Sequence, residues 1–254
     1  MHTMTPPARL LLSVYAPALT RDDGRPLAAV HAMERGLNGL KLEWEVSGEG
    51  QLIAVPQRDA WLSEAAARGK FPLLCNGDEN YPVTIAGLRR PASPLPGGQP
   101  QLQVHADLPL DEVVLAAAAS VLEGIAEGAH AFWGHASPEG FGLEVAKQMR
   151  HSDGGPAHSF RGLPMLKPPD AIGSPEIPHY LGWLNYWSAA TAHAIGFPDA
   201  ARDAEWMSRA QRTATGGWIV QITETPLDFT NPVHVAALQR AYTCFPAIGG
   251  RSSP

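Results

Sequence analysis

The chain carries 24 prolines and 25 glycines in 254 residues, and that punctuation excludes a fold made of a few long helices. Each proline fixes φ and withholds an amide donor, so the elements between prolines must be short and joined by set turns. Hydrophobic residues at 44% and charged residues at 17% still supply a globular core, which argues against wholesale disorder. A chain of this length makes one large domain or two small ones.

Hydrophobic periodicity places the elements. Residues 9–15 alternate as a strand, and Arg25 to Asn38 has apolar residues at helical spacing before Gly36 and Gly39 stop it. Leu40 to Val46 alternates as a half-buried strand with Lys41, Glu43 and Glu45 facing water. Ser47 to Gly50 turns the chain into a hairpin partner, Leu52 to Val55. Gln57 to Arg68 is a short amphipathic helix with Trp61, Leu62, Ala65 and Ala66 inward, and Phe71 to Cys75 is an apolar strand. The order β-α-β-β-α-β suits a split βαβ unit or one contiguous sheet. We favour the contiguous sheet, because Val83 to Leu88 and Gln101 to His105 add two more strands. The proline-glycine segment 89–98 between them is an exposed excursion.

The second half reads as mostly helical. Asp111 to Ala129 is the clearest helix, capped by Asp107 or Asp111, and its many alanines imply close packing against a sheet or another helix. Pro138 to Met149 reads as a helix with proline near its first turn, followed by an irregular segment over 151–178. Then come a strand (Gly182 to Trp187), a helical stretch to Ile195, a helix from Asp199 to Arg209 and a strand from Trp218 to Thr223. A closing helix runs from Asn231 to Tyr242, where Asn231-Pro232 is an N-cap followed by proline at the first helical position. The expected fold is a single α+β domain over residues 1–254, strand-rich over 8–107 and helix-rich with two strands over 108–254. Its sheet is expected to be mixed and mostly antiparallel, with helices packed against it.

A net charge of −6 gives no electrostatic basis for holding a nucleic-acid backbone, although it suits a basic protein partner as well as plain solubility. Cys75 and Cys244 lie in apolar surroundings and read as buried small hydrophobes rather than a disulfide. Leu10-Leu11-Leu12 before Ala16-Pro17-Ala18 faintly mimics a signal peptide, but the apolar run is short and Ser13 and Tyr15 break it in a strand-like way. No run approaches the roughly 18 apolar residues of a membrane span, so a cytoplasmic location without membrane partners is expected.

Motifs of chemistry are sparse. His130 and His135 flank Phe132-Trp133-Gly134, with His151 and His158 further on, but their spacing matches no metal-ligand pattern, and structural histidines outweigh ligands. Asp78-Glu79, after Cys75-Asn76-Gly77, sits where α/β enzymes place carboxylates, yet an Asx-type turn explains the pair better. No GxSxG is present, and neither Gly97-Gly98 nor Gly154-Gly155 forms a phosphate loop. No catalytic residue, metal or cofactor is therefore assigned, and a hydrolase using Asp78, Glu79 and His130 or His135 is the alternative. The seven tryptophans read singly as core. As a group, Trp183, Tyr186 and Trp187 beside Glu176, Asp199 or Asp203 are the expected partner-binding residues.

The closing third carries a resemblance. Gly182-Trp183-Leu184-Asn185-Tyr186-Trp187-Ser188, Gly196-Phe197-Pro198-Asp199, Gly217-Trp218-Ile219-Val220-Gln221-Ile222-Thr223 and Pro226-Leu227-Asp228 through Asn231-Pro232-Val233-His234 resemble the end of the immunity protein 52 group. The same residues are similar to a related set of uncharacterised bacterial proteins of about this length. The likeness covers about 179–250, and its motifs are structural. It implies a non-catalytic protein that binds and neutralises a cognate bacterial toxin encoded beside it.

Overall fold

A computed structural model describes residues 8–149 and 160–251. His151, His158 and Gly154-Gly155 lie outside the described residues, as does most of the first part of the irregular segment. The first half runs β1 (Arg9–Pro17), α1 (Arg25–Gly36), β2 (Trp44–Val46), β3 (Leu52–Ala54), α2 (Arg58–Ala67), β4 (Phe71–Cys75), β5 (Thr84–Arg90) and β6 (Gln101–Pro109). The second half runs α3 (Glu112–Gly128), β7 (Trp133–Pro138), α4 (Phe141–Met149), β8 (Leu184–Trp187), α5 (Ala189–Ala194), α6 (Ala204–Met207), β9 (Ala210–Arg212), β10 (Trp218–Gln221) and α7 (Pro232–Cys244).

All ten strands form one open sheet in the order β3-β2-β4-β5-β6-β1-β7-β8-β10-β9. The contiguous α+β arrangement is as expected, but the sheet is not mixed: every neighbouring pair is antiparallel. The expected division of strands also changes, since the part after residue 108 contributes β7, β8, β9 and β10. β1 lies at the centre between β6 and β7.

β7 is a central strand that sequence reading passed over. Residues 133–138 alternate Trp133, His135 and Ser137 on one face with Gly134 and Ala136 on the other, so neither face has the apolar signature of a strand. Both are nevertheless buried, because Gly134 lets β1 approach: a Cβ there would lie 2.5 Å from Val14 Cγ1. The helix expected from Pro138 accordingly begins only at Phe141. The strand expected over Leu40 to Val46 shortens to β2 because the Glu34 carboxylate takes the Leu42 amide at 2.8 Å, and Arg58 braces that carboxylate. The helix expected from Asp199 to Arg209 shrinks to α6, and Ala210–Arg212 instead pairs with β10 as an edge strand.

Local signals elsewhere hold. Asp111, not Asp107, caps α3 by accepting from the Val114 amide at 2.8 Å, while Asp107 pairs with Arg9. Asn231 caps α7 through the Val233 amide at 2.9 Å, with Pro232 next in the helix. The small side chains of α3 pack on α1: a Cβ at Gly128 would meet the Ala28 backbone at 2.8 Å, and one at Gly124 would meet Ala32.

Side chains alternate between the two faces of the sheet. Leu10, Leu12, Val14 and Ala16 of β1, with Leu102, Val104, Ala106 and Leu108 of β6, are buried in one core with α1 and α3. Each Leu or Val so buried stabilises by about 1.5–3 kcal/mol before entropy is counted. On the other face, Trp133, Trp187 and Val220 are buried with Leu238, Ala241, Tyr242 and Phe245 of α7 and the residue that follows it. That second core covers only the C-terminal half of the face. Over β4, β5 and β6 the same face stays open, with Leu73 38% and Leu88 58% exposed.

Candidate cleft at the edge of the covered sheet face

Where the covered half of this face meets the open half, antiparallel register lines up polar side chains. Ser13 of β1 stands opposite His105 of β6 on one side and His135 of β7 on the other. One pair further along, Tyr15 stands between Gln103 and Trp133. Residues two apart on a strand share a face, so the pairing places all six on the same side of the sheet.

Hydrogen bonds link these rows. Ser13 Oγ and His105 Nδ1 are 2.9 Å apart. His135 Nε2 lies 2.9 Å from the Tyr180 hydroxyl, and Ser137 Oγ is 3.4 Å from His135 Nδ1. Gln103 Nε2 donates to the Tyr15 hydroxyl at 2.9 Å, and Tyr15 and Tyr180 hydroxyls are 3.3 Å apart. Tyr15 stacks on Trp133 with centroids 4.0 Å apart, and His179 meets both rings edge-on. Beside them opens a cavity of about 330 Å³, with Ser13, His105, His135 and Tyr180 in its lining together with Leu73 and Phe141.

Burial sets the protonation of this cluster. Removing an imidazolium from water disfavours its charge, so the His105 pKa falls below its usual 6.5 and that of His135 is pushed down to about 3. His179 is likewise pushed down to about 3 by burial, with Arg90 adding to the effect. Burial also raises the pKa of Tyr15, and that of Tyr180 well above its usual value, the latter helped by Tyr15 beside it. Near neutral pH the cleft is therefore lined by neutral imidazoles and hydroxyls that can donate or accept hydrogen bonds. Ser13 with His105 has the distance of a nucleophile and its base, but among the described residues neither His105 nor His135 has a carboxylate hydrogen-bond partner to orient it. Among the described residues no group of three or more His, Cys, Asp and Glu side chains could hold a metal ion.

The residues expected from sequence lie elsewhere. Trp183, Tyr186 and Trp187 are 4%, 2% and 0% exposed, so they are core side chains and not a surface patch. The physical reason is coverage: Tyr186 packs on the α3 side of the sheet and Trp187 under α7, where large rings bury the most apolar area. Asp203 is also buried, its carboxylate held by Arg202 at 2.6 Å and by the Asp199 amide at 2.8 Å. Glu176 is half-buried and accepts from Ser174, and Asp199 alone of the three carboxylates is exposed. Asp78 and Glu79 form the exposed turn between β4 and β5, where Asp78 accepts from the Asn80 and Tyr81 amides as an Asx-type turn does. His130 lies beyond the opposite end of the strands, after α3, and His135 on β7 lines the cleft without either carboxylate. The set Asp78, Glu79 and histidine is thus not assembled. Cys75 and Cys244 are both free thiols.

Ser13, His105, Ser137 and Tyr180 were missed as a site. Their signal was present only as the polar residues of alternating strands, and which strands are neighbours is a tertiary fact.

Against known proteins, a family model described as a domain of unknown function, DUF5953, matches residues 21–253. The chain belongs to the DUF5953 family. The match spans far more of the chain than the closing third that carried the resemblance, and it attaches no activity. No curated protein matches the DUF5953 chain in sequence. Among solved structures it is similar to a Pseudomonas aeruginosa T6SS protein, PA0821, with a TM-score of 0.56 at 15% identity, over 94% of this chain and 73% of that one. At that identity the likeness concerns the fold. Among the described residues no helix is long and apolar enough to cross a membrane.

Proposed function

We propose that this DUF5953 protein is a non-catalytic immunity protein that binds and neutralises a bacterial toxin. The observation that carries the reading is the fold shared over 94% of the chain with a T6SS protein. The resemblance of residues 179–250 to immunity proteins supports the same reading. The uncovered part of the sheet gives such a partner a place to dock, because Leu73 and Leu88 are already exposed there beside the polar row of Ser13 and His105. The net charge of −6 favours a basic toxin, approached by electrostatic steering.

Co-expression with the product of the adjacent gene tests this. A stable complex that rescues growth supports the reading, and salt-dependent association supports the steering. No complex and no rescue would remove it. A hydrolase is the second reading, favoured by the hydrogen bond between Ser13 and His105. Covalent labelling by a fluorophosphonate, lost in Ser13→Ala, would establish it; an unlabelled protein would end it.

A further inference from the structure

A second pocket, sharing no residue with the cleft, lies at the other end of the same central strands. The chain leaving β1, the entry to β4, the end of β5 and the start of β6 enclose a space of about 360 Å³ there. Its floor is apolar, made by the buried side chains of Phe71 and Leu102 with Leu19 beside them. Gly87 sets this floor: a Cβ at that position would lie 2.5 Å from Phe71 Cβ and 2.9 Å from Leu102 Cδ1. The register of β4 against β5 shifts between Phe71 and Leu74, which displaces the strand entry at the same point.

The mouth has a different chemistry. Lys70 and Arg89 are both exposed and line it, and among the described residues neither cation has an ion-pair or side-chain hydrogen-bond partner. Lone exposed cations are ordinary on a protein surface. Two of them converging on an apolar pocket, in a chain of net charge −6, are not accounted for by folding. Gln101 adds a buried amide in the wall, its Oε1 without a hydrogen-bond partner. An apolar floor with a few convergent polar groups at the rim is the general form of a small-molecule site.

We propose that this pocket binds a carboxylate with an apolar body, the body on Phe71 and Leu102 and the carboxylate between Lys70 and Arg89. A guanidinium and an ammonium suit a carboxylate because each offers several donors and full positive charge. Fatty acids and apolar peptide C-termini both present this chemistry. The inference stands apart from toxin binding, since it concerns a different surface and a different class of ligand.

Titration calorimetry on the full chain tests it with octanoate, octan-1-ol, a short peptide ending in free leucine, and the same peptide amidated. Binding of octanoate or of the free-acid peptide, at least tenfold tighter than its uncharged counterpart, is expected. Which acid binds tells a fatty acid from a peptide terminus. The double variant Lys70→Gln/Arg89→Gln should weaken that binding at least tenfold at an unchanged melting temperature, because both side chains are on the surface. The proposal is overturned if neither acid saturates the protein, if the uncharged counterparts bind equally well, or if the double variant binds as the parent does.

Discussion

Ser13 Oγ lies 2.9 Å from His105 Nδ1, across a directly opposed pair of the two central strands β1 and β6. The hydrogen bond accompanies a low pKa at His105 but does not cause it: burial does. Titration of His105 by NMR should therefore give a midpoint below 6.5 in the parent protein, and it should stay below 6.5 in Ser13→Ala. A return to 6.5 on removing the hydroxyl would assign the shift to the hydrogen bond instead.

Stability should fall with acid because of His135 and His179. Both are buried and carry folded-state pKa values of about 3, so between about pH 6.5 and pH 3 the unfolded chain binds protons that the folded chain refuses. Stability is complete above the unfolded value and declines as pH drops through that window, on the order of 2 kcal/mol per histidine from pH 6.5 to 5. Urea unfolding at those two pH values checks the sign, and His135→Gln should flatten the slope.

Trp187 is a core residue, fully buried and edge-on to both Phe197 and Phe245. Trp187→Ala should cost about 3–5 kcal/mol by chemical denaturation, as large-to-small core changes do. A variant of parent stability that loses only partner binding would return this ring to a surface role.

Asp203 holds the loop before α6 closed, through Arg202 and the Asp199 amide. Replacing it by alanine strands the Asp199 amide and removes the ion pair of Arg202, whose guanidinium keeps the Gly196 carbonyl, so a loss of about 1.5–3 kcal/mol is expected. Asp199→Asn, at an exposed carboxylate, serves as the control and should change stability far less.

Gly128 sets helix propensity against packing. Alanine would favour an isolated helix by about 0.8–1 kcal/mol. Here its Cβ would lie 2.8 Å from the Ala28 carbonyl carbon and the Ala29 nitrogen, backbone atoms that cannot move aside alone. Gly128→Ala should therefore lower the melting temperature, and a rise would show that α1 and α3 can separate without penalty.

Much of the fold was written locally. Asp111 and Asn231-Pro232 mark helix starts because a capping side chain meets the backbone two or three residues away, within reach of sequence alone. Proline and glycine spacing set short elements, alternation placed β1, an apolar run placed β4, and strand-like runs placed β5 and part of β6. Other features depended on partners far along the chain. Residues 133–138 became a central strand only because β1 and β8 flank them, and the Leu42 amide went to the carboxylate of Glu34 instead of a strand neighbour. The sequence by itself determined an α+β chain of short, capped elements with two apolar faces to bury. Only the tertiary structure decided that the aromatic residues of β8 are inside, that Ser13 meets His105, and that Lys70 and Arg89 line one pocket with an apolar floor. Those outcomes follow from strand order and register, which join residues tens of positions apart and leave no periodic trace in any one segment.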